Sequence, residues 1–194
     1  MRLWPTVFMR VIAGTFRRRR LHSLPGLDVR PTSDRLRESL FDVLAAGPGL
    51  DAAVWLDLYA GTGAVGIEAL SRGAHTVYFV ENSPPAAQLI RKNLHSLGVQ
   101  EGFEILEHDV PRALRRLDAA AISCDFCFLD PPYHLSEAYH ATLGFLSQSR
   151  LLRPSSIVIA EHQRRFDPGE GIGALGRYRT LLQGDAALSF YRLS

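Results

Sequence analysis

Apolar residues along the chain form short runs that alternate with longer stretches of helical periodicity. The runs are four to six residues long and rich in branched and aromatic side chains, which indicates buried strands. Five strands are predicted in this way: Ala53–Leu58, Thr76–Val80, Phe103–Leu106, Phe126–Leu129 and Ser156–Ala160. Strands that alternate with helices are typical of an α/β fold with a parallel sheet.

The stretches between the strands carry the start and stop signals of helices. Thr32 or Ser33 is suited to cap a first helix, whose apolar stripe comprises Leu36, Leu40, Phe41 and Leu44. Ser83 and Pro84 start another helix, and Gly98 ends it. Further helices are predicted from Ala64 to Gly73, from Val110 to Leu117 and from Glu137 to Ser147.

The two ends of the chain differ from this alternating pattern. Two further strands, Arg177–Leu182 and Ala187–Leu193, follow a Gly- and Pro-rich stretch. We therefore predict a Rossmann-like, mostly parallel seven-stranded sheet with an antiparallel C-terminal edge. Arg10–Ala13 and Leu21–Val29 are predicted to pair as a small N-terminal β-hairpin. The expected organisation is a basic extension, residues 1–29, followed by the α/β unit, residues 30–194, within one compact domain.

Length and composition narrow the class of protein. A chain of 194 residues with 46% hydrophobic residues is long enough to bury a real core. No apolar run approaches the ~20 residues that span a bilayer, and residues 1–8 lack the pattern of a secretory signal. We expect a cytoplasmic monomer with no membrane partner.

Charge is concentrated at the N-terminal end. Residues 1–44 contain nine arginines and four acids, a balance of +5 in a chain whose net charge is +2. Arg17–Arg20 form an unbroken run. This asymmetry favours a polyanionic partner, although a solvated run of charge gives the same pattern.

The two cysteines, Cys124 and Cys127, have the C-x-x-C spacing of redox pairs and zinc sites. No second pair completes a zinc site, and no other ligand cluster suggests a metal. Within a strand the odd spacing directs the two side chains to opposite faces. We therefore interpret them as buried apolar residues.

A glycine-rich turn follows the first strand of the alternating series. Gly61-Thr62-Gly63-Ala64-Val65-Gly66 matches G-x-G-x-x-G, and Glu81 ends the next strand. The same pattern serves dinucleotides and S-adenosylmethionine. Asp57 beside the turn suits an ammonium group and repels a pyrophosphate. Asp109 ends the third strand and can accept a hydrogen bond from an adenine amine. These two acids favour S-adenosylmethionine over a dinucleotide.

A fourth acid begins the segment Asp130-Pro131-Pro132-Tyr133, directly after the fourth strand. Asp130 and a proline carbonyl provide acceptors for the two hydrogens of an exocyclic amine, and Tyr133 provides a stacking surface. The carboxyl ends of parallel strands form the binding edge of such sheets, so Asp57, Glu81, Asp109 and Asp130 are expected to meet there. A planar amine is the predicted substrate group.

These motifs together resemble those of a known family. The stretches are Arg10-Val11-Ile12-Ala13-Gly14, Arg30-Pro31-Thr32-Ser33-Asp34-Arg35, Leu56-Asp57-Leu58-Tyr59-Ala60-Gly61-Thr62-Gly63-Ala64 and Asp130-Pro131-Pro132-Tyr133. With them the chain resembles the bacterial guanine-N2 methyltransferases of small-subunit (16S) ribosomal RNA, whose family target is guanine-966. The resemblance implies a class I, S-adenosylmethionine-dependent fold and a substrate of rRNA, a small subunit or an assembly intermediate.

The resemblance also assigns residues to roles. The implied catalytic residues are Asp130, Pro131, Pro132 and Tyr133. The implied cofactor-binding residues are Asp57, Tyr59, Gly61, Gly63, Glu81, Asn82, Asp109 and Val110. The implied RNA-binding residues are Arg10, Arg17, Arg18, Arg19, Arg20, Arg30 and Arg35.

Three other functions remain open on the sequence. An adenine-N6 or cytosine-N4 methyltransferase of DNA or RNA uses the same Asp-Pro-Pro-Tyr motif, but 194 residues leave little room for a DNA-reading domain. A non-catalytic RNA-binding assembly factor would keep the fold, and the intact acids and glycines disfavour it. A nicotinamide dehydrogenase is disfavoured by Asp57 and by the Asp-Pro-Pro-Tyr motif.

Overall fold

A computed structural model describes residues 9–23, 32–132 and 135–194. The roles predicted for Arg30 and Tyr133 concern residues outside these ranges, as does most of the second strand of the predicted hairpin. The helices are α1 (Asp34–Ala45), α2 (Ala64–Ser71), α3 (Pro84–Leu97), α4 (Val110–Ala119) and α5 (Ser136–Leu146). The strands are β1 (Val54–Leu58), β2 (Thr76–Val80), β3 (Phe103–Leu106), β4 (Cys124–Leu129), β5 (Leu152–Gln163), β6 (Gly171–Ile172), β7 (Leu175–Gln183) and β8 (Ala186–Leu193).

The strands form one twisted sheet in the order β3-β2-β1-β4-β5-β8-β7-β6. The pairs among β1 to β5 are parallel, and those among β5 to β8 are antiparallel. Within the described residues the sheet has eight strands, so the predicted number of seven is wrong by one. The additional strand is β6, a two-residue segment in the Gly- and Pro-rich stretch that pairs with the start of β7.

Two hydrophobic clusters cover the two faces of the sheet. The first is formed with α1, α2 and α3, and in it Trp55 lies between Phe41 and Phe126, with ring centroids 5.4 and 5.5 Å away. The second is formed with α4 and α5, and it contains Leu56 and Leu58. The alternation of side chains along β1 therefore supplies both clusters, as expected for a central parallel strand. No helix in the described ranges is long and apolar enough to cross a membrane.

The two candidate caps of α1 have different roles. The Ser33 side chain caps the helix and accepts the Leu36 N–H at 3.2 Å. The Thr32 hydroxyl donates to Glu161 Oε2 at 2.6 Å in a buried hydrogen bond across the sheet edge. The helix cap and this long-range contact thus occupy adjacent residues.

The N-terminal segment, residues 9–23, forms a tight hairpin, while residues 24–29 of the predicted second strand lie outside the described residues. One antiparallel bridge joins Arg10 and Arg20, and the Leu21 N–H donates to the Met9 carbonyl at 2.8 Å. Gly14 and Arg18 adopt positive φ values of 78° and 68°, which let the chain reverse between the two arms of the hairpin.

Buried polar side chains attach this segment to the helices beneath it. Glu68 of α2 accepts the Ile12 and Ala13 N–H groups at 2.8 and 3.0 Å. Asn93 of α3 accepts the His22 N–H at 2.7 Å and donates to the His22 carbonyl at 3.2 Å. Since Met9, Val11 and Leu21 also join the first hydrophobic cluster, the segment packs as part of the core.

Both cysteines are free and buried, as predicted, but they do not face opposite sides of the sheet. Cys124 and Cys127 belong to the same hydrophobic cluster, on the α4 and α5 face. The register of β4 against β5 shifts between Cys124 and Phe126, and this bulge reverses the expected alternation. Burial raises the pKa of the Cys124 thiol to about 12 and that of Cys127 well above its usual value.

Candidate active site

The glycine-rich turn between β1 and α2 brings the start of α2 close to the sheet at its binding edge. Gly63 has φ of 76° and precedes α2 without a side-chain cap, so the first N–H groups of the helix face the turn. A Cβ atom on Gly66 would lie 2.4 Å from Phe79 Cε1, which explains why α2 packs so closely on β2 at this position.

Glu81, at the end of β2, holds the turn in place. Its Oε2 accepts the Gly61 N–H at 2.8 Å, and its Oε1 accepts the Ser83 N–H at 2.8 Å. The carboxylate therefore lies directly beside the glycine turn, as the sequence predicts. Each carboxylate oxygen keeps a second lone pair for a ligand hydroxyl.

A cavity of about 710 Å³ opens at the carboxyl ends of β1 to β4. Nine of its lining residues are ones that the sequence singles out: Tyr59, Gly61, Glu81, Asn82, Asp109, Val110, Asp130, Pro131 and Pro132. These residues come from four separate turns, and the parallel sheet brings them together. The cavity is large enough for a ligand of nucleoside size.

The far wall of this cavity comes from residues that the sequence does not single out. It includes His108 and Pro111 beside α4, and Leu135, Ala138, Ala141 and Thr142 of or beside α5. Thr142 Oγ1 lies 3.1 Å from the hydroxyl of Tyr59, whose φ of 62° is unusual for a tyrosine. The only signal for this wall is that α5 follows the Asp-Pro-Pro-Tyr motif directly.

Asp109 and Asp57 occupy different positions relative to this cavity. Asp109 is exposed at its rim and caps α4 by accepting the Arg112 N–H at 2.8 Å. Asp57 is 2% exposed and lies beneath the glycine turn, where its Oδ2 accepts the Gly66 N–H at 2.9 Å. Burial, together with the charge of Glu81, raises the pKa of Asp57 to about 8.

Asp130 begins the Asp-Pro-Pro-Tyr segment at the edge of the cavity. Pro131 is buried, Pro132 is exposed, and the Pro132 carbonyl accepts the Leu135 N–H at 2.8 Å, which starts the turn into α5. Burial, followed by the charges of Glu161 and Asp57, raises the pKa of Asp130 well above its usual value. Asp130, Asp57 and Thr32 also line a second, small cavity.

The predicted RNA-binding arginines lie on the surface of the N-terminal segment and of α1. Arg10, Arg17–Arg20 and Arg35 are exposed. Arg19 Nη2 donates to the Ser96 carbonyl at 2.6 Å, and Arg10 lies 3.4 Å from Asp34. Arg37, by contrast, is fully buried and donates to the Arg10 carbonyl at 2.6 Å, so it supports the turn from beneath.

A family model described as conserved hypothetical protein 95 matches residues 9–192. The chain belongs to this family. The match covers the glycine turn, the Asp-Pro-Pro-Tyr segment and the docked N-terminal segment, so membership applies to the whole site and not to one motif.

Known proteins similar to this chain are named as methyltransferases. YlbH of Bacillus subtilis, a candidate rRNA methyltransferase, is 34% identical over 95% of this chain and 98% of its own length. Ribosomal RNA small subunit methyltransferase D of Haemophilus influenzae is 34% identical over 80% of this chain and 79% of its own. The structure of yhhF, a candidate methyltransferase of Escherichia coli, superposes with a TM-score of 0.81 at 26% identity, over 96% of this chain and 98% of that one.

The fold of this family member is that of class I methyltransferases. Solved methyltransferases at lower identity share it, and two of them contain S-adenosylhomocysteine. The predicted fold class is therefore confirmed, with the eighth strand as the correction.

Proposed function

We propose that this chain is an S-adenosylmethionine-dependent methyltransferase of small-subunit rRNA that methylates the exocyclic N2 of a guanine, guanine-966 in the family. The observation that carries the proposal is the shared cavity of about 710 Å³. Glu81 and Asp109 line one part of it and Asp130 with the two prolines lines another, so a methyl donor and a planar amine fit side by side.

The cofactor end of the cavity has the hydrogen-bond acceptors that S-adenosylmethionine requires. Glu81 beside the glycine turn suits the ribose hydroxyls, which donate hydrogen bonds. Asp109 suits an adenine amine, and Asn82 and Val110 line the wall between the two acids. Asp57 lies beneath the turn, where its Oδ2 accepts the Gly66 N–H and holds the backbone on the side where the glycine turn would receive an ammonium group. When bound, the cofactor supplies a methyl group on a positively charged sulfur.

The other end of the cavity suits an aromatic amine. As a carboxylate, Asp130 accepts one hydrogen of the amine. The Pro131 carbonyl accepts the second, because the Pro132 carbonyl is already used by the Leu135 N–H. Holding both hydrogens directs the nitrogen lone pair towards the cofactor end, and the rate gain comes chiefly from proximity and orientation. Asp130 then takes the proton that the nitrogen loses once its bond to carbon has formed.

The exposed arginines provide positive charge that attracts a polyanionic substrate to this site. Arg10, Arg17–Arg20 and Arg35 lie on the N-terminal segment and on α1, with Arg30 between them in the chain. We assign RNA binding to the basic extension, residues 1–29, together with Arg30 and Arg35. The methyltransferase unit is residues 30–194. We expect the protein to act as a monomer, and an rRNA substrate implies a cytoplasmic location.

The choice of guanine rests on the family resemblance, since adenine and cytosine also carry exocyclic amines. The direct test is to map tritiated methyl incorporation on small-subunit rRNA from a deletion strain, supplied as free RNA and as subunits. Incorporation at one guanine N2 supports the proposal. Incorporation at adenine N6 or cytosine N4, or into DNA alone, contradicts it.

A second test separates catalysis from binding. Asp130→Asn is expected to lower the methylation rate by at least ~100-fold, because the carboxylate that receives the proton is lost. S-adenosylmethionine affinity, measured by calorimetry, is expected to remain within a few-fold of wild type. Asp51→Asn removes an exposed carboxylate ahead of β1 and is the matched control. Near-normal turnover of the Asp130 variant would refute the mechanism, and a wild-type chain that binds no cofactor would favour the assembly-factor alternative.

A further inference from the structure

The segment Arg30-Pro31-Thr32 distinguishes this chain in sequence, and the structure connects its last residue to the active site. Thr32 is buried, and its hydroxyl donates to Glu161 Oε2 at 2.6 Å. Glu161 lies at the end of β5 and is 3% exposed. The Tyr139 hydroxyl donates to its backbone carbonyl at 2.8 Å, so both the side chain and the main chain of Glu161 are held.

The strand register places Glu161 beside Asp130. β4 and β5 are parallel, and Leu129 is paired with Ala160, so Asp130 and Glu161 occupy the next position on each strand. Neighbouring strands are about 4.8 Å apart, and residues at the same level point to the same face. That face is the one on which Phe128 and Ile159 lie, and Thr32 and Asp130 together line the small cavity there.

The charges around Asp130 are predominantly acidic. Glu161 faces it from β5 and Asp57 faces it from β1, while Glu81 acts in turn on Asp57. Like charges at neighbouring strand positions disfavour each other's ionised form, so the charge of Glu161 opposes the ionisation of Asp130. Burial and these two charges raise the pKa of Asp130 well above its usual value.

We propose that Glu161, held by Thr32, is a positioning residue that determines whether Asp130 carries a proton when the target amine enters the site. A protonated Asp130 donates a hydrogen bond and repels the hydrogens of an amine, whereas the carboxylate accepts one of them. The inference rests on the methyltransferase function proposed above. It gives Thr32, the last residue of the Arg30-Pro31-Thr32 segment, a chemical role, because its hydroxyl holds the Glu161 carboxylate in place.

The first experiment compares wild type with Glu161→Gln. Glutamine keeps an oxygen for the Thr32 hydroxyl but carries no charge. On the acid side of the pH–rate profile, where the rate rises about tenfold per pH unit, we expect the curve of the variant to move to lower pH. Glu170→Gln, a change at a carboxylate whose side chain is 90% exposed, is expected to leave the profile unchanged. A Glu161→Gln profile that superposes on wild type would overturn the proposal.

A second measurement follows the titration of Asp130 directly and requires no catalytic turnover. Carbon-13 NMR of labelled aspartate carboxyl groups reports the titration of Asp130, assigned by its loss in Asp130→Asn. We expect Asp130 to titrate at lower pH in Glu161→Gln than in wild type, and an unchanged titration would again overturn the proposal. Because this measurement is independent of substrate, it separates the two ideas. A chain that methylates no RNA but shows the shifted titration would refute the proposed function and leave the carboxyl pair established.

The Thr32 hydroxyl gives a conservative pair of variants. Without its donor, Glu161 either turns away or takes up a proton, and both weaken its repulsion of Asp130. Thr32→Val is therefore expected to move the acid limb in the same direction as Glu161→Gln. Thr32→Ser keeps the hydroxyl and is expected to retain the wild-type profile. If the serine and valine variants behave alike, packing and not the hydrogen bond is responsible, and the role of Thr32 is refuted.

Discussion

Replacing Asp57 by asparagine is expected to change how the stability of the protein depends on pH. The folded-state pKa of Asp57 is raised to about 8 from 3.8, chiefly by burial. The folded protein therefore keeps this proton across a range in which the unfolded chain releases it. The contribution of Asp57 to stability is fully present below about pH 3.8 and is lost as the pH rises towards 8.

The size of the effect follows from the same shift. Each pH unit within that range is worth about 1.4 kcal/mol, so the cost of burying Asp57 grows by on the order of 3 kcal/mol between about pH 5 and about pH 7.5. The asparagine side chain of the variant cannot ionise, yet it keeps an oxygen to accept the Gly66 N–H. Over this interval the free energy of unfolding of the variant is therefore expected to fall by on the order of 3 kcal/mol less than that of wild type.

Urea denaturation at half-unit pH steps measures this difference directly, provided that the m-value stays constant. Asp51→Asn, at an exposed position in the loop before β1, is the matched control and should follow the wild-type curve. Parallel curves for wild type and Asp57→Asn would refute the reasoning, because they would mean that Asp57 is ionised in the folded protein at neutral pH.

Three further outcomes are expected. Gly66→Ala should destabilise the protein by about 1–3 kcal/mol in urea denaturation, since its Cβ would lie 2.4 Å from Phe79 Cε1. Gly144→Ala on α5, where nothing lies within 4 Å, should be neutral or stabilising, and an equal loss in both would contradict the packing argument. The Cys124 thiol, with its pKa raised to about 12, should resist alkylation at about pH 8 until denaturant is added, and rapid labelling of the native chain would contradict its burial. Replacing Arg17–Arg20 by glutamine should weaken rRNA binding and flatten its salt dependence. Filter binding from low to high salt measures both. An unchanged dependence of affinity on salt would exclude the N-terminal segment from the RNA interface.

The sequence predicts the strands of the sheet well where an apolar run is bounded by turn residues. β2 and β3 begin and end as predicted, at Thr76–Val80 and Phe103–Leu106. β5 extends beyond its apolar run at its C-terminal end because Glu161, His162 and Gln163 pair with β8. Pairing partners, and not local composition, determine where such strands end.

The residues of the candidate site also differ in whether the sequence predicts them. Residues that follow a strand directly, such as Glu81 and Asp130, are predictable because parallel strands bring their carboxyl ends together. Glu161 is not, because it continues β5 and its hydrogen-bond partner Thr32 lies 129 residues away in the chain. The shared orientation of Cys124 and Cys127 depends on a bulge that only the register of β4 on β5 reveals.

The contacts of Asn93 bear on how far the N-terminus of the chain can be shortened. Its side chain is fully buried and donates to the Thr62 carbonyl in the glycine turn at 3.0 Å, while it also pairs with both backbone groups of His22. A chain trimmed to begin at residue 30 would keep β1 to β8 but would remove both hydrogen bonds of this amide to the His22 backbone. The glycine turn is therefore supported, through Asn93, by the same stretch of chain that carries Arg10 and Arg17–Arg20. Removing that stretch would weaken the support of the turn even though the sheet stays complete.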